Sequence, residues 1–404
     1  MLSDEVINKV IERIVNRIEQ GNEYILQTIG NNLKEIRDII PSQSQQLAQM
    51  IRYGGDYDKI VKRLSEITKL NVKDIYKIFD EVAKNDYVFA KQFYKYRNMK
   101  YIPYEKNTML REQVEKLAKI TSKEYIEMTR KNIIGFMGKN KRGKWAFKSL
   151  KKSYDDLLEQ AFINVGQGKD SFDSAMYRAI HDMGYGGLRV QYESGVVRRL
   201  DTVIRMHLSH NLTQLHEEVQ RTIGKEFKSD GVEVTVHAYP APDHAEVQGH
   251  QFYLKEFEKF QTDRDCKDVN NVLFPAEFDG KDRRSIGQYN CYHYTFDIVV
   301  GVSKPNYTPS QLQKIINDNK KGFTFEDKHY TLYEGTQLQR RIETAIRSWK
   351  DEQILAKASG NERGIMRSQE KIEQLTRKYM ELSKASGIPT KLDRLKVNGY
   401  RQVK

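Results

Sequence analysis

The chain has 404 residues, of which 38% are hydrophobic and 30% charged, with two cysteines and a formal net charge of +13. That length suits two or three domains, and Cys266 and Cys291 cannot build a disulfide framework. No apolar run approaches the ~18 residues of a membrane span, and Met1-Leu-Ser-Asp-Glu5 lacks the basic and apolar regions of a secretory signal, so a protein kept in a cytoplasm is expected.

The opening isoleucines 7, 11, 14 and 18 follow a 4-3-4 spacing that predicts an amphipathic helix, with Ser3 or Asp4 as its cap. Further helices are predicted over 23–40, 43–52, 57–69 and 73–95. The series Leu110, Val114, Leu117, Thr121, Tyr125, Met128 predicts another between 105 and 137. This region is basic: residues 51–150 carry 24 Lys and Arg against 12 Asp and Glu, a net of +12. Two clusters mix cations with aromatics, 91–100 (Lys95, Arg97, Lys100) and 139–148 (Lys139, Lys141, Arg142, Lys144, Lys148), the second reading as a loop between helices. Cations there would neutralise phosphates while rings stack on bases. The competing reading is a solvated helix face with the aromatics packed beneath.

Residues 151–300 differ in chemistry. They carry 18 basic against 24 acidic residues, net −6, and hold eight of the nine histidines and both cysteines. After the Gly184-Tyr-Gly-Gly187 turn, Ile204, Leu208, Leu212, Leu215 and Val219 predict a helix over 197–223. Val232 to Ala238 alternates like a strand, a helix is expected near 243–260, and a second strand around 292–300. His207, His210 and His216 on the long helix lack a carboxylate or cysteine to complete a metal site and read as partly exposed histidines. Cys291-Tyr-His293 with His244 and His237 offers a weak zinc site, lacking a CxxC pair. The alternatives are a thiol or metal-dependent catalytic cluster, or buried hydrogen-bonding groups that pin a loop. No Gly-rich phosphate loop, carboxylate pair or serine nucleophile elbow accompanies the cluster.

Residues 323–333 read as a short hairpin turning at Glu326-Asp-Lys328. Leu338, Ile342, Ala345 and Trp349 begin a long helix, and after Gly360-Asn361 a second stripe runs through Ile372, Leu375, Tyr379 and Leu382. The last residues, from Lys391, read as a basic mobile tail. The fold class expected is α+β: a long helical N-terminal region (1–180), a central mixed α/β module with a small sheet (181–335) and a helical C-terminal region (336–404).

Three blocks in the middle carry a resemblance: Tyr192-Glu-Ser-Gly195 with Arg199-Leu-Asp-Thr-Val-Ile-Arg205; His237-Ala-Tyr-Pro-Ala-Pro-Asp-His244-Ala-Glu-Val-Gln248-Gly249; and Gly287-Gln-Tyr-Asn290-Cys291-Tyr-His293 with Gly301-Val-Ser-Lys-Pro305. In this order and spacing they resemble the tailed-phage minor capsid protein 2 family, itself similar to the Mu F-type head-morphogenesis proteins. Val247 stands where an aromatic is expected and Tyr292 where the family block carries a cation; the loss of that cation favours a structural block. Arg205 is the motif cation expected to reach the Asn290–His293 loop.

The resemblance implies a virion component near the portal vertex, partnered by portal and capsid proteins and by double-stranded DNA, with no membrane and no cofactor. It would occupy the phage head, and the host cytoplasm during assembly. Because some relatives carry enzymatic domains, the alternative is a metal-dependent nuclease or ADP-ribosyltransferase-like enzyme using the His/Asn/Cys cluster.

Overall fold

The computed structural model describes residues 4–38, 57–69, 72–96, 98–128, 134–139, 144–153, 156, 177, 180–181 and 184–401. The chain opens with helices α1 (Asp4–Asp38), α2 (Tyr57–Thr68), α3 (Val72–Tyr96) and α4 (Thr108–Met128). Strands β1 (Ile134–Lys139), β2 (Trp145–Ser149), β3 (Arg189–Gln191) and β4 (Val197–Arg199) lead into α5 (Leu200–Phe227). Next come β5 (Gly231–Val234), α6 (Pro242–Ala245), β6 (Gln251–Tyr253) and α7 (Leu254–Gln261). Two short ladders follow, of β7 (Cys266–Lys267) with β8 (Leu273–Phe274) and β9 (Glu277–Phe278) with β10 (Lys281–Asp282). The chain ends with β11 (Thr295–Ile298), α8 (Pro309–Lys321), β12 (Phe323–Phe325), β13 (Lys328–Tyr330), α9 (Leu332–Ser359) and α10 (Glu362–Ser386). This is the α+β class expected, with helical terminal regions and small antiparallel sheets.

Several elements differ from expectation for identifiable reasons. The predicted helices over the opening residues and 23–40 are one continuous α1. It runs through Gly21, where a Cβ would lie 2.8 Å from Leu64 Cδ1, so the missing side chain admits α2. The helix expected over 43–52 lies outside the described residues. The helix expected between 105 and 137 is described from Thr108 to Met128 and does not include Ile134–Lys139, which form β1. Residues 139–148, read as a loop, include parts of a β-hairpin that pairs Gly135 with Ser149 and Lys139 with Trp145. Ile134 and Phe136 are buried on alternate positions, the period of a strand. The helix expected near 243–260 is split by β6, because Gly249, at φ 75°, donates to Val234 O and turns the chain back along β5. The terminal stretch is packed as far as it is described: a 3₁₀ turn over Leu392–Leu395 buries Leu395, and Val397 is buried beyond it.

The chain forms two compact units. The first comprises residues 1–11, 70–123 and 206–337, the second 12–69, 124–205 and 338–404. In the first, β11-β5-β6 form an antiparallel sheet whose Val232, Val234 and Phe252 join Phe260, Cys266, Phe274 and Ile286 in one apolar core. α5 contributes Leu208, Leu212, Leu215 and Val219, all buried as the sequence stripe predicts. In the second, a sheet of order β2-β1-β3-β4 accompanies α1, α9 and α10. Gly30 and Ala358 let α1 and α9 approach closely, a Cβ on Gly30 falling 2.4 Å from that of Ala358.

Candidate functional site

Two polar centres stand out, one in each unit. In the first unit the sheet register assembles a histidine–cysteine cluster. β5 and β11 pair Val234 with Thr295, and the alignment extends past both strands, where Thr235 N–H donates to Tyr294 O (2.9 Å). His237 therefore arrives beside Tyr292, and its Nε2 donates to Tyr292 O. On the other side of β5, the Gly249 turn brings Gln248 back to the same end of the sheet, and α6 presents His244. Gly249 admits this return, since a Cβ there would lie 2.5 Å from Leu312 Cδ2.

Hydrogen bonding then fixes each ring. Gln248 Oε1 accepts from His237 N–H (2.9 Å), and because a backbone N–H only donates, this fixes the amide's orientation. His293 Nε2, 3.1 Å from the same oxygen, must therefore carry the proton, leaving the Nδ1 lone pair facing Cys291 Sγ at 3.7 Å. His244 Nε2 lies 2.8 Å from the Arg284 carbonyl and must also donate, which points its Nδ1 at the same sulfur, 3.6 Å away. Arg284 grips Asp243 with two bonds of 2.7 and 2.6 Å.

Burial pushes the Cys291 thiol up and both imidazoles down, His293 to about 2 with help from its His237 and His244 neighbours. The groups are thus neutral at neutral pH, the opposite of the thiolate–imidazolium pair a nucleophilic cysteine uses. Asn290 is exposed and takes φ 65°, the left-handed turn position that precedes Cys291. Its amide donates to the Met206 sulfur, at 3.5 Å.

The second unit holds a centre that the sequence reading missed. Arg199 donates from Nε to Asp201 Oδ1 (3.0 Å), from its terminal nitrogen to Gly186 O (3.0 Å), and to Asp351. Arg347 pairs with the other oxygen of Asp201, Asn22 donates to Asp351 (2.9 Å), and the Leu188 N–H closes onto Asn22 (2.9 Å). All five side chains are buried, Asp351 completely. Burial alone would raise the Asp201 carboxyl, but Arg199, Arg347 and Arg205 overcome it and hold the group well below the usual range. Gly187, at φ 57°, wraps the Gly184–Gly187 turn around the cluster; a Cβ there would sit 2.5 Å from Asp351 Oδ2. Only the Arg199-Leu-Asp201 block signalled this centre in the sequence.

The remaining candidates are distributed as follows. Arg205, expected to serve the Asn290–His293 loop, instead makes a two-pronged ion pair with Glu12. His216 is fully buried against Asp86 at 2.6 Å rather than partly exposed, and His207 and His210 flank Tyr289. Lys95, Lys100 and Lys144 are exposed, while Lys148 pairs with Asp156 at 2.7 Å. Tyr94, one of the first cluster's aromatics, is buried and bonded to Glu226, so it cannot stack on a base. Lys139 ends β1; Arg97, Lys141 and Arg142 lie outside the described residues.

No helix among the described residues is long and apolar enough to cross a membrane. Neither curated proteins nor solved structures give a match. A family model described as phage minor capsid protein 2 matches residues 2–382, a span that includes both polar centres. The chain therefore belongs to the phage minor capsid protein 2 family, whose place is the virion head.

Proposed function

We propose that this protein is a structural component of the phage head that acts at the portal vertex, contacting portal and capsid proteins during head assembly, DNA packaging or delivery. The observation that carries the reading is the family match over nearly the whole chain. The arginine–aspartate centre agrees with it: its charged groups are engaged with one another or with backbone, as in groups that hold a fold. Assembly in the host cytoplasm follows from the same role.

Double-stranded DNA is the further partner, and exposed lysines supply contacts to it in each unit separately, Lys95 and Lys100 in the first and Lys144 in the second, within a stretch whose net charge is +12. Cross-linking of purified heads followed by mass spectrometry tests the placement, which requires cross-links to portal protein; cross-links confined to tail proteins would refute it. For the DNA contact, affinity should fall steeply between about 50 and 200 mM salt. A flat response would remove phosphate contact from the account.

A further inference from the structure

In the histidine–cysteine cluster the acceptors around one sulfur outnumber the donors. His244 and His293 both have Nε2–H committed to carbonyl oxygens, so two Nδ1 lone pairs converge on Cys291 Sγ. The His293 carbonyl oxygen also lies 3.8 Å from that sulfur, so three acceptor atoms surround a thiol that can donate to only one of them at a time. A cation among the two nitrogens and the sulfur answers those three atoms at once.

We propose that His244 Nδ1, His293 Nδ1 and Cys291 Sγ bind a zinc ion, with water in the fourth position, and that the ion clips the α6 turn to the segment entering β11. The separations support zinc. With Zn–N near 2.0 Å and Zn–S near 2.3 Å, tetrahedral ligands place N and S about 3.5 Å apart, and the two N···S distances are 3.6 and 3.7 Å. All three ligand atoms lie within 4.8 Å of one another.

The surrounding bonds are those a metal-binding imidazole uses. Each Nε2–H is held by a carbonyl, from the Arg284 backbone and the Gln248 side chain, which aims the Nδ1 lone pair. Asp243 Oδ2, 3.8 Å from His244 Nε2, places negative charge behind one ligand. Cys291 is half-buried and next to exposed Asn290 and Tyr292, which gives water a path to the fourth position. His237 stays outside the ligand set because its Nε2 donates to Tyr292 O and its ring packs edge-on to His293. Binding replaces the thiol proton, so Zn²⁺ enters as one H⁺ leaves to solvent.

The test uses the full chain expressed with added zinc and then stripped and reloaded with cobalt. About one equivalent of zinc is expected after gel filtration. The cobalt form should show a thiolate-to-metal charge-transfer band and visible bands of tetrahedral intensity. Cys291→Ser should abolish the charge-transfer band and His293→Ala the stoichiometric metal, while His329→Ala, exposed on β13, keeps both.

Gln248→Ala, which leaves the ligands in place, should weaken the metal about 10- to 100-fold. If a ligand variant fails to fold, reversible stripping and reloading of the unmodified chain gives the same readout. A metal-free protein after zinc supplementation, an octahedral cobalt spectrum without a sulfur band, or equal metal content in Cys291→Ser and the parent chain would each overturn the proposal.

Discussion

Asp351 and Glu352 lie next to each other on α9, and each closes a different long-range bond: Asp351 to Arg199 and Asn22, Glu352 to His181 Nδ1 at 2.9 Å. Removing Asp351 leaves Arg199 partly uncompensated in the interior, so Asp351→Ala should destabilise the protein by about 3–5 kcal/mol in denaturant unfolding. Glu19 titrates in the same unit. Burial, with repulsion from Asp201, raises its pKa from 4.5 to about 7 against partial relief from the arginines. A folded value above the unfolded one means that stability is intact below about 4.5 and declines as pH rises through 7, by at most about 3 kcal/mol. Asp201 has the opposite sign, since its depressed value supplies stability above the ordinary carboxylate range that is lost as pH falls. Glu19→Gln should therefore flatten the decline toward neutral pH and leave the acid limb unchanged, as followed by urea midpoints across pH. Cys291-x-His293 was legible as a pair because its residues are close in sequence. The Arg199–Asp351 bond spans 152 positions, and a charged stretch of α9 reads as a solvated face until its partner is known.

The elements built on apolar period were the legible ones. α5 was visible because its leucines repeat at helical spacing. The hairpin of β12 and β13 was visible because Phe323 and Phe325 alternate around a turn in which Glu326 and Asp327 both take positive φ. The β1–β2 hairpin was hidden by its cations: Lys139, Lys144 and Lys148 make a loop-like composition, although Phe136 and Ile134 supply the strand period. Close approach was equally hidden, since Gly30 in α1 gives no periodic signal. Gly30→Val would push a side chain into Ala358 and the α9 backbone, and should cost about 1–3 kcal/mol by thermal or urea unfolding. At α8, Thr308 accepts from Gln311 N–H and Gln311 answers with its side chain. Thr308→Ala should therefore cost about 1 kcal/mol, most of it recovered by Thr308→Ser.

At the scale of the molecule, each compact unit is assembled from three separated chain segments. Composition could divide the chain only by where its charges and histidines fall in sequence, because nothing in a local window reports which distant segments share a core. The total charge of +13 is uneven along the sequence, with +12 over residues 51–150, +9 over 301–404 and a middle of −6 that carries the histidine–cysteine motifs. The basic regions offer exposed lysines to an acidic partner, and the acidic middle uses its polar residues to fix loops. The central claim is tested most directly by quantitative mass spectrometry of purified virions after heads and tails are separated. The account predicts this chain in the head fraction with the portal protein, at a copy number far below that of the major capsid protein; its absence from heads of otherwise infectious particles would contradict it.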